Sequence, residues 1–216
     1  MSLDTTYWTS VEGPLGLLLL TAGPGGALTS LSVPGQKGGR TVQDDWRRDP
    51  GPFRAAEEQL AAYFAGELNA FRLELSTHGT EFRERVWAAL DSVPYGATTT
   101  YGEIAARIGA SRAAVRAVGG AIGANPLLIV RPCHRVIGAD GSLTGYAGGL
   151  YRKVWLLRRE GSLDGQGLSG GSCRTGPGPE EGSALEREGE AAGESAAQPD
   201  CRNELPLRDQ SLDLGP

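Results

Sequence analysis

From about Gly161 the chain reads "GSLDGQGLSGGSCRTGPGPEEGSALEREGEAAGESAAQPD", with almost no aromatic or β-branched residues. Such a stretch cannot bury enough apolar area to offset the entropy of ordering it. Whatever this chain folds into must therefore be built from the residues before about 164 of its 216. The expectation is a disordered acidic tail over 164–216, behind a body long enough for one large or two small domains.

The tail also hides where the charge lies. A net charge of −5 argues, as an average, against a nucleic-acid partner. By segment it divides into −3 over residues 1–80, +5 over 81–160 and −7 over 161–216. The middle segment is basic, and its cations are nearly all Arg, whose planar fork suits phosphate. Cys133, Cys173 and Cys201 show no CxxC spacing, which is neither a disulfide framework nor a zinc pattern. "MSLDTTYWTS" lacks the order of a signal peptide, and "LGLLLLTA" is too short to span a bilayer. A reducing intracellular compartment is the default.

The first 50 residues alternate apolar runs with turn signals, predicting strands at Leu17–Thr21 and Ala27–Val33. "GQKGGRTVQDDWRRDPGP" reads as a loop. In "FRAAEEQLAAYFAGEL", Phe53, Ala56, Leu60 and Phe64 fall at helical spacing, with Gly66 as the stop. Phe71–Leu75 alternates as a strand. This is a small α/β domain over 1–76 with no visible chemistry.

Residues 77–163 read as helical and interrupted by glycine. "GTEFRERVWAALDSV" has Thr80 as a cap and Phe82, Val86, Trp87 and Leu90 on one face. "TTTYGEIAARIG" and "SRAAVRAVGGAIGANP" are two further short helices, the second with Ser111 as its cap, joined by a tight turn. Together they make a helix-turn-helix candidate. On the second, Val115, Val118 and Ile122 form a buried stripe, while Arg112, Arg116, Gly119, Gly120 and Gly123 face the other way. Adjacent glycines cost roughly 1 kcal/mol each against Ala in a helix interior. Either they admit a phosphate backbone, or they line a helix–helix contact.

"RPCHRVIG" places Cys133 and His134 between Pro132 and two arginines, Arg131 and Arg135. A free thiol is only slightly ionised at neutral pH, and a neighbouring base with cationic surroundings raises that fraction. Adjacent side chains point apart in extended backbone, so a bridging water suits the pair. The alternative is a buried, inert cysteine. "TGYAGG" around Tyr146 suits a loop closing on a flat ligand, or a plain hairpin, before an amphipathic helix that runs to Glu160.

In their order and spacing, "VPYGATTTYGEIA", "RAVGGAIGANP", "PCHRVIG", "GSLTGYAGGLYRKVWLL" and "REG" resemble the O6-alkylguanine-DNA alkyltransferases, the methylated-DNA–protein-cysteine methyltransferases. The close resemblance covers about residues 80–160. It implies an α+β fold, with a small N-terminal α/β domain of RNase H-like type and a helical C-terminal domain bearing the helix-turn-helix. It also implies direct-reversal repair: an alkyl group moves from O6 of guanine, or O4 of thymine, to Cys133, once per protein, after the base is flipped.

His134 would draw off the thiol proton through a water, Glu160 would orient the imidazolium, and Asn125 would buttress the turn before the cysteine. Tyr101 would crowd the flanking phosphate, Arg116 would replace the flipped base, and Tyr146 would contact the guanine. Val136 and Ala147 would complete the pocket with backbone groups. Gly119, Gly120, Arg135 and Lys153 join this substrate- and DNA-binding set.

The implied partner is duplex DNA carrying O6-alkylguanine, for a monomer of the bacterial cytoplasm associated with the nucleoid. No metal, cofactor, membrane or obligate protein partner is expected. A DNA-binding regulator switched by methylation of Cys133 is the alternative. Arg131 departs from the family, where an apolar residue usually precedes the proline; it would perturb the pocket floor or reach solvent. The turn before Arg116 is about one residue longer than usual, which sets Arg112 against Arg116 for the stacking role.

Overall fold

"YWTSVEG" and "GLLLLTA" form an antiparallel hairpin of β1 (Tyr7–Gly13) and β2 (Gly16–Ala22), connected by Pro14 and Leu15. β3 (Leu28–Ser32) adds to β2 antiparallel, and β4 (Arg47–Arg48) pairs parallel with β1, giving the order β3-β2-β1-β4. The computed structural model describes residues 5–163. The expected acidic tail, with Cys173 and Cys201, lies outside them. Leu18, Leu20 and Ala22 recur at the two-residue period of a strand and are fully buried. Each large side chain buried this way contributes roughly 1.5–3 kcal/mol.

Three expectations in this region need correction. β1 was not foreseen, because YWTSVEG lacks a run of apolar residues and is mostly half-buried. β4 lies inside the expected loop. Phe71–Leu75 is not a laddered strand: only Leu75 bridges to Leu28, through Leu28 N–H to Glu74 O (2.8 Å) and Ser76 N–H to Leu28 O (2.9 Å).

Helix α1 (Arg54–Ala65) ends where expected, at Gly66, whose φ of 86° is a left-handed cap that L side chains adopt only with strain. Its inward residues are Ala56, Leu60 and Tyr63. Phe64, assigned to that face, is only half-buried. One residue along a helix is a rotation of about 100°, so with Tyr63 turned to the core its neighbour Phe64 stands at the edge of that face.

Thr80 caps α2 (Glu81–Asp91), accepting the Arg83 N–H, and Val86, Trp87 and Leu90 face the core. Thr100 and Glu103 make a reciprocal capping box at the start of α3 (Tyr101–Arg107). The next segment starts as a 3₁₀ turn, Arg112–Ala114, and becomes α4 (Val115–Gly123). Ser111 makes no side-chain cap there. Trp87 Nε1 donates to Ala121 O (2.9 Å), tying α2 to α4. A parallel pair of two-residue strands, β5 (Thr99–Thr100) and β6 (Val136–Ile137), precedes α5 (Leu150–Arg159).

The result is a mixed α+β body with one continuous cluster of buried apolar side chains, from Leu18 in the sheet to Leu156 in α5. Among the described residues, no helix is long and apolar enough to cross a membrane.

Candidate active site

The segment between α4 and Cys133 is shaped by Asn125. Its Oδ1 accepts the Leu127 N–H (3.0 Å), and its Nδ2 lies 3.2 Å from Leu127 O, 3.1 Å from Arg131 O and 3.1 Å from Cys133 Sγ. Leu31 of β3 grips the same segment through Leu31 N–H to Pro126 O (2.9 Å) and Leu128 N–H to Leu31 O (3.1 Å). Between these anchors the chain turns sharply. Ile129 sits at φ 71°, a rare conformation for a β-branched residue, with Val130 N–H donating to Leu128 O (2.8 Å). Such strain costs on the order of 1–3 kcal/mol and persists only where its surroundings impose it. Pro132 then makes a second tight turn, Cys133 N–H to Arg131 O (2.8 Å).

Cys133 opens a 3₁₀ turn, Cys133–Arg135, at the lining of a pocket of about 520 Å³. Gly119, Gly120 and Gly123 of α4 form part of the wall, with Tyr101, Tyr146 and Ala147 elsewhere around it. A Cβ at Gly120 or Gly123 would meet nothing within 4 Å, so close packing against a neighbouring helix does not explain these glycines. Tyr101 lies over Gly119 and donates its hydroxyl to Thr144 O (3.2 Å), linking α3 to the Tyr146 loop. That loop is shaped at Gly148, where a Cβ would fall 2.8 Å from the Tyr146 ring and 3.0 Å from Val33. The Tyr146 hydroxyl is buried without a protein partner.

Burial pushes the Cys133 thiol up to about 11, against the Asn125 hydrogen bond and the Lys153 charge, which favour the thiolate. The resting group is therefore a neutral thiol, not the activated thiolate that flanking arginines suggested. Beneath it, His134 Nε2 lies 2.9 Å from Glu160 Oε1, both side chains fully buried. Burial would raise the Glu160 carboxyl, but hydrogen bonds and charges from His134 and Arg135 hold it down at about 2. A carboxylate only accepts, so Nε2 carries the proton and Nδ1 keeps its lone pair. Nδ1 is buried and has no partner in the protein. Burial lowers the basicity of His134 more than Glu160 raises it, which keeps the imidazole neutral near pH 7.

Several expected contacts point elsewhere. Arg135 is turned inward, with Nε 2.7 Å from Glu160 Oε2, one Nη 2.8 Å from Oε1 and the other 2.6 Å from Val93 O. Lys153 is fully buried, its Nζ reaching Val136 O (2.6 Å), Thr144 O (2.8 Å) and Gly145 O (3.3 Å), and burial draws its pKa down to about 8. Neither side chain is placed to meet DNA; they brace the histidine and the Tyr146 loop. Val136 was expected to complete the pocket but does not line it: its N–H donates to Cys133 O and its carbonyl accepts from Lys153 Nζ. Arg131 neither floors the pocket nor reaches solvent: its guanidinium lies over the Trp87 ring (5.1 Å) and bonds Asp91 (3.1 Å). Arg116, in the first turn of α4, is exposed and does not line the pocket. Arg112 borders a separate groove beside Tyr101 and Val115.

Two participants escaped the sequence reading. Lys37, from the loop after β3, lines the pocket, and its N–H donates to Ala147 O (3.0 Å). Tyr63 donates its hydroxyl to Glu160 Oε1 (2.7 Å). The signal for Tyr63 was its place three residues after Leu60 on an inward helix face, since a buried tyrosine needs a partner for its hydroxyl. Among the described residues, no group of three or more His, Cys, Asp or Glu side chains gathers to hold a metal ion.

Residues 81–162 match the family model described as 6-O-methylguanine DNA methyltransferase, DNA binding domain. Over 156 residues the chain is 52% identical to a methylated-DNA–protein-cysteine methyltransferase of Mycobacterium bovis, covering 72% of this chain and 93% of that one. A Methanosarcina acetivorans protein of the same name is 50% identical over 156 residues, covering 72% of this chain and 99% of its own length. The crystal structure of Mycobacterium tuberculosis OGT in complex with DNA superposes with a TM-score of 0.67 at 52% identity, over 72% of this chain and 93% of that one. The O6-methylguanine-DNA methyltransferase of Pyrococcus kodakaraensis follows with a TM-score of 0.53 at 27% identity, over 73% and 99%.

Proposed function

The chain belongs to the methylated-DNA–protein-cysteine methyltransferases, and from that premise we infer that it repairs alkylated DNA by direct reversal, with Cys133 as its acceptor. The observation that carries the choice of acceptor is the position of Cys133 at a pocket walled by bare helix glycines, next to a histidine whose Nδ1 is unpartnered. The thiol proton passes through a bridging water to Nδ1, and Glu160 stabilises the imidazolium that forms. The sulfur attacks the alkyl carbon, the bond from that carbon to O6 breaks, and its electrons leave with the guanine, which takes up a proton. The product is a thioether. It has no carbonyl for water to attack, so each protein turns over once.

A stacked guanine cannot present its O6 substituent to a sulfur inside a pocket, so the base must leave the duplex at a cost of a few kcal/mol. In this reading α3 and α4 are a helix-turn-helix laid in the minor groove, where Gly119 and Gly120 let the backbone come close. Arg116 fills the vacated stack, Tyr101 crowds the flanking phosphate, and Tyr146 meets the base with its free hydroxyl. The same reading divides the body near residue 76, into an RNase H-like N-terminal domain and the alkyltransferase domain, and places the protein on the nucleoid in the cytoplasm.

The test is incubation with duplex DNA containing O6-methylguanine, followed by intact-mass and peptide mass spectrometry. One methyl group on Cys133 is expected. An unchanged mass, or a label on Cys173 or Cys201, overturns the assignment.

A further inference from the structure

We propose that Tyr63, on α1, is a positioning residue for alkyl transfer, its hydroxyl holding Glu160 Oε1 and so setting the orientation and basicity of His134. The proposal rests on the reading of Cys133, His134 and Glu160 as the reacting set. It gives the N-terminal part of the chain, which looked chemically silent, a place in the chemistry.

Glu160 is completely buried and receives four hydrogen bonds. Oε2 takes one, from Arg135 Nε (2.7 Å). Oε1 takes three: Tyr63 Oη at 2.7 Å, an Arg135 Nη at 2.8 Å and His134 Nε2 at 2.9 Å. An sp² oxygen has two lone pairs, so these donors share its charge. Tyr63 makes the shortest of the three, within the range of a charge-assisted hydroxyl–carboxylate bond. It can only donate: burial first, then the Glu160 charge, pushes its ionisation far above the ordinary tyrosine range.

The donor is held rigidly. Tyr63 packs edge-on against Phe64 and Tyr95 and tilted against Phe71. Tyr95 also carries the Arg135 guanidinium over its ring at 5.8 Å, so two of the three groups on Oε1 are braced by one aromatic. The groups that face the His134–Glu160 pair and its Tyr63 donor are Tyr63 itself from α1, Tyr95 after α2, Arg135 from the adjoining segment, Tyr146 from the loop before α5, and Lys153 from α5. Of these, Tyr63 alone donates to Oε1 without bringing a charge. Its bond draws density from the oxygen that must stabilise the imidazolium, so removing it makes His134 more basic.

The experiment exploits the presence of only two histidines, His78 and His134. In ¹⁵N-histidine spectra, with His78→Gln to assign the signals, Tyr63→Phe should move the His134 titration to higher pH by roughly 0.5. In duplex O6-methylguanine repair, the acid limb of the rate profile should follow. At a fixed pH below that midpoint the rate, taken as a fraction of each protein's own plateau, is then about threefold lower in the variant than in wild type, with duplex affinity unchanged. A lower melting temperature with an unmoved titration and an unmoved limb overturns the proposal, leaving Tyr63 as packing.

Should Tyr63→Phe fail to fold, 3-fluorotyrosine at position 63 donates more strongly and must move the midpoint the other way; no movement overturns the proposal equally. The two readings fail separately. A wild-type protein that never methylates Cys133 refutes the function, whereas the histidine titration reports the Tyr63 coupling without turnover.

Discussion

Nε2 of His134 donates to Oε1 of Glu160 across 2.9 Å inside a fully buried pair, and this one bond decides which imidazole nitrogen is free to act as a base. In Glu160→Gln the negative charge is gone and an amide that both donates and accepts takes its place, so neither the tautomer nor the imidazolium is secured. Methyl transfer from duplex O6-methylguanine should slow by roughly 10²-fold or more. Affinity for undamaged duplex should stay within about twofold, because the pair lies beneath the pocket. Single-turnover kinetics beside a binding titration measure both, and a rate within threefold of wild type would sink the role of Glu160. The buried Arg135 also loses its anion, so the rate must be taken on the folded fraction.

The site motifs were legible because each is contiguous. "RAVGG", "ANP", "PCHR" and "TGYAGG" reach the pocket as local pieces, and Asn125 needs only a few intervening residues to meet Cys133. Arg131, Arg135 and Lys153 were misread for a shared reason. A basic residue near a reactive centre reads the same whether it reaches outward to phosphate or inward to a carbonyl. Only the folded chain shows Asp91 bonded to Arg131, Glu160 beside Arg135 and three carbonyls around Lys153. The helical period could show that Tyr63 faces inward but not what it meets: its partner is 97 residues away, and no local period encodes so distant a pairing.

Arg131 gives a direct check on that distinction. Its guanidinium points away from the pocket, toward Trp87 and Asp91. Arg131→Leu, the apolar kind of residue usual at this place in the family, should leave the rate of methyl transfer within about twofold. Stability should shift by no more than about 1–2 kcal/mol, since the Asp91 left without its cation is 44% exposed to water and an apolar side chain can fill the space against Trp87. A urea titration and a single-turnover assay suffice. A tenfold loss of rate with normal stability would mean that the side chain shapes the pocket after all.

Acid should unfold the body in two stages, and the sign follows from the direction of each shift. Glu160 ionises at about 2 in the folded chain, below an unfolded carboxyl, so its contribution is complete above the unfolded value and is lost as pH falls toward 2. That contribution is on the order of 3 kcal/mol. Burial lowers His134, so the unfolded chain takes its proton first and stability begins to drop below about 6.5. Urea unfolding at pH 7, 5.5, 4 and 2.5 should show a progressive loss, with the drop between pH 4 and pH 2.5 much reduced in Glu160→Gln. Equal midpoints at pH 7 and pH 4 would refute this account.

Arg116 stands exposed in the first turn of α4, and one turn further along the helix Gly119 and Gly120 line the pocket that holds Cys133. A side chain so placed does nothing for a base that arrives free in solution. It matters when the base must be drawn from a duplex, because extrusion leaves a gap whose unstacking costs a few kcal/mol unless something fills it. If Arg116 recovers about 1.4 kcal/mol of that cost, Arg116→Ala slows repair in duplex about tenfold, while its reaction with free O6-alkylguanine stays near wild type. Parallel single-turnover measurements on the two substrates separate the effects, with Arg112→Ala as the companion variant. Equal losses on both substrates would assign Arg116 to stability. A duplex-specific loss confined to Arg112→Ala would move the stacking role to the 3₁₀ turn before α4.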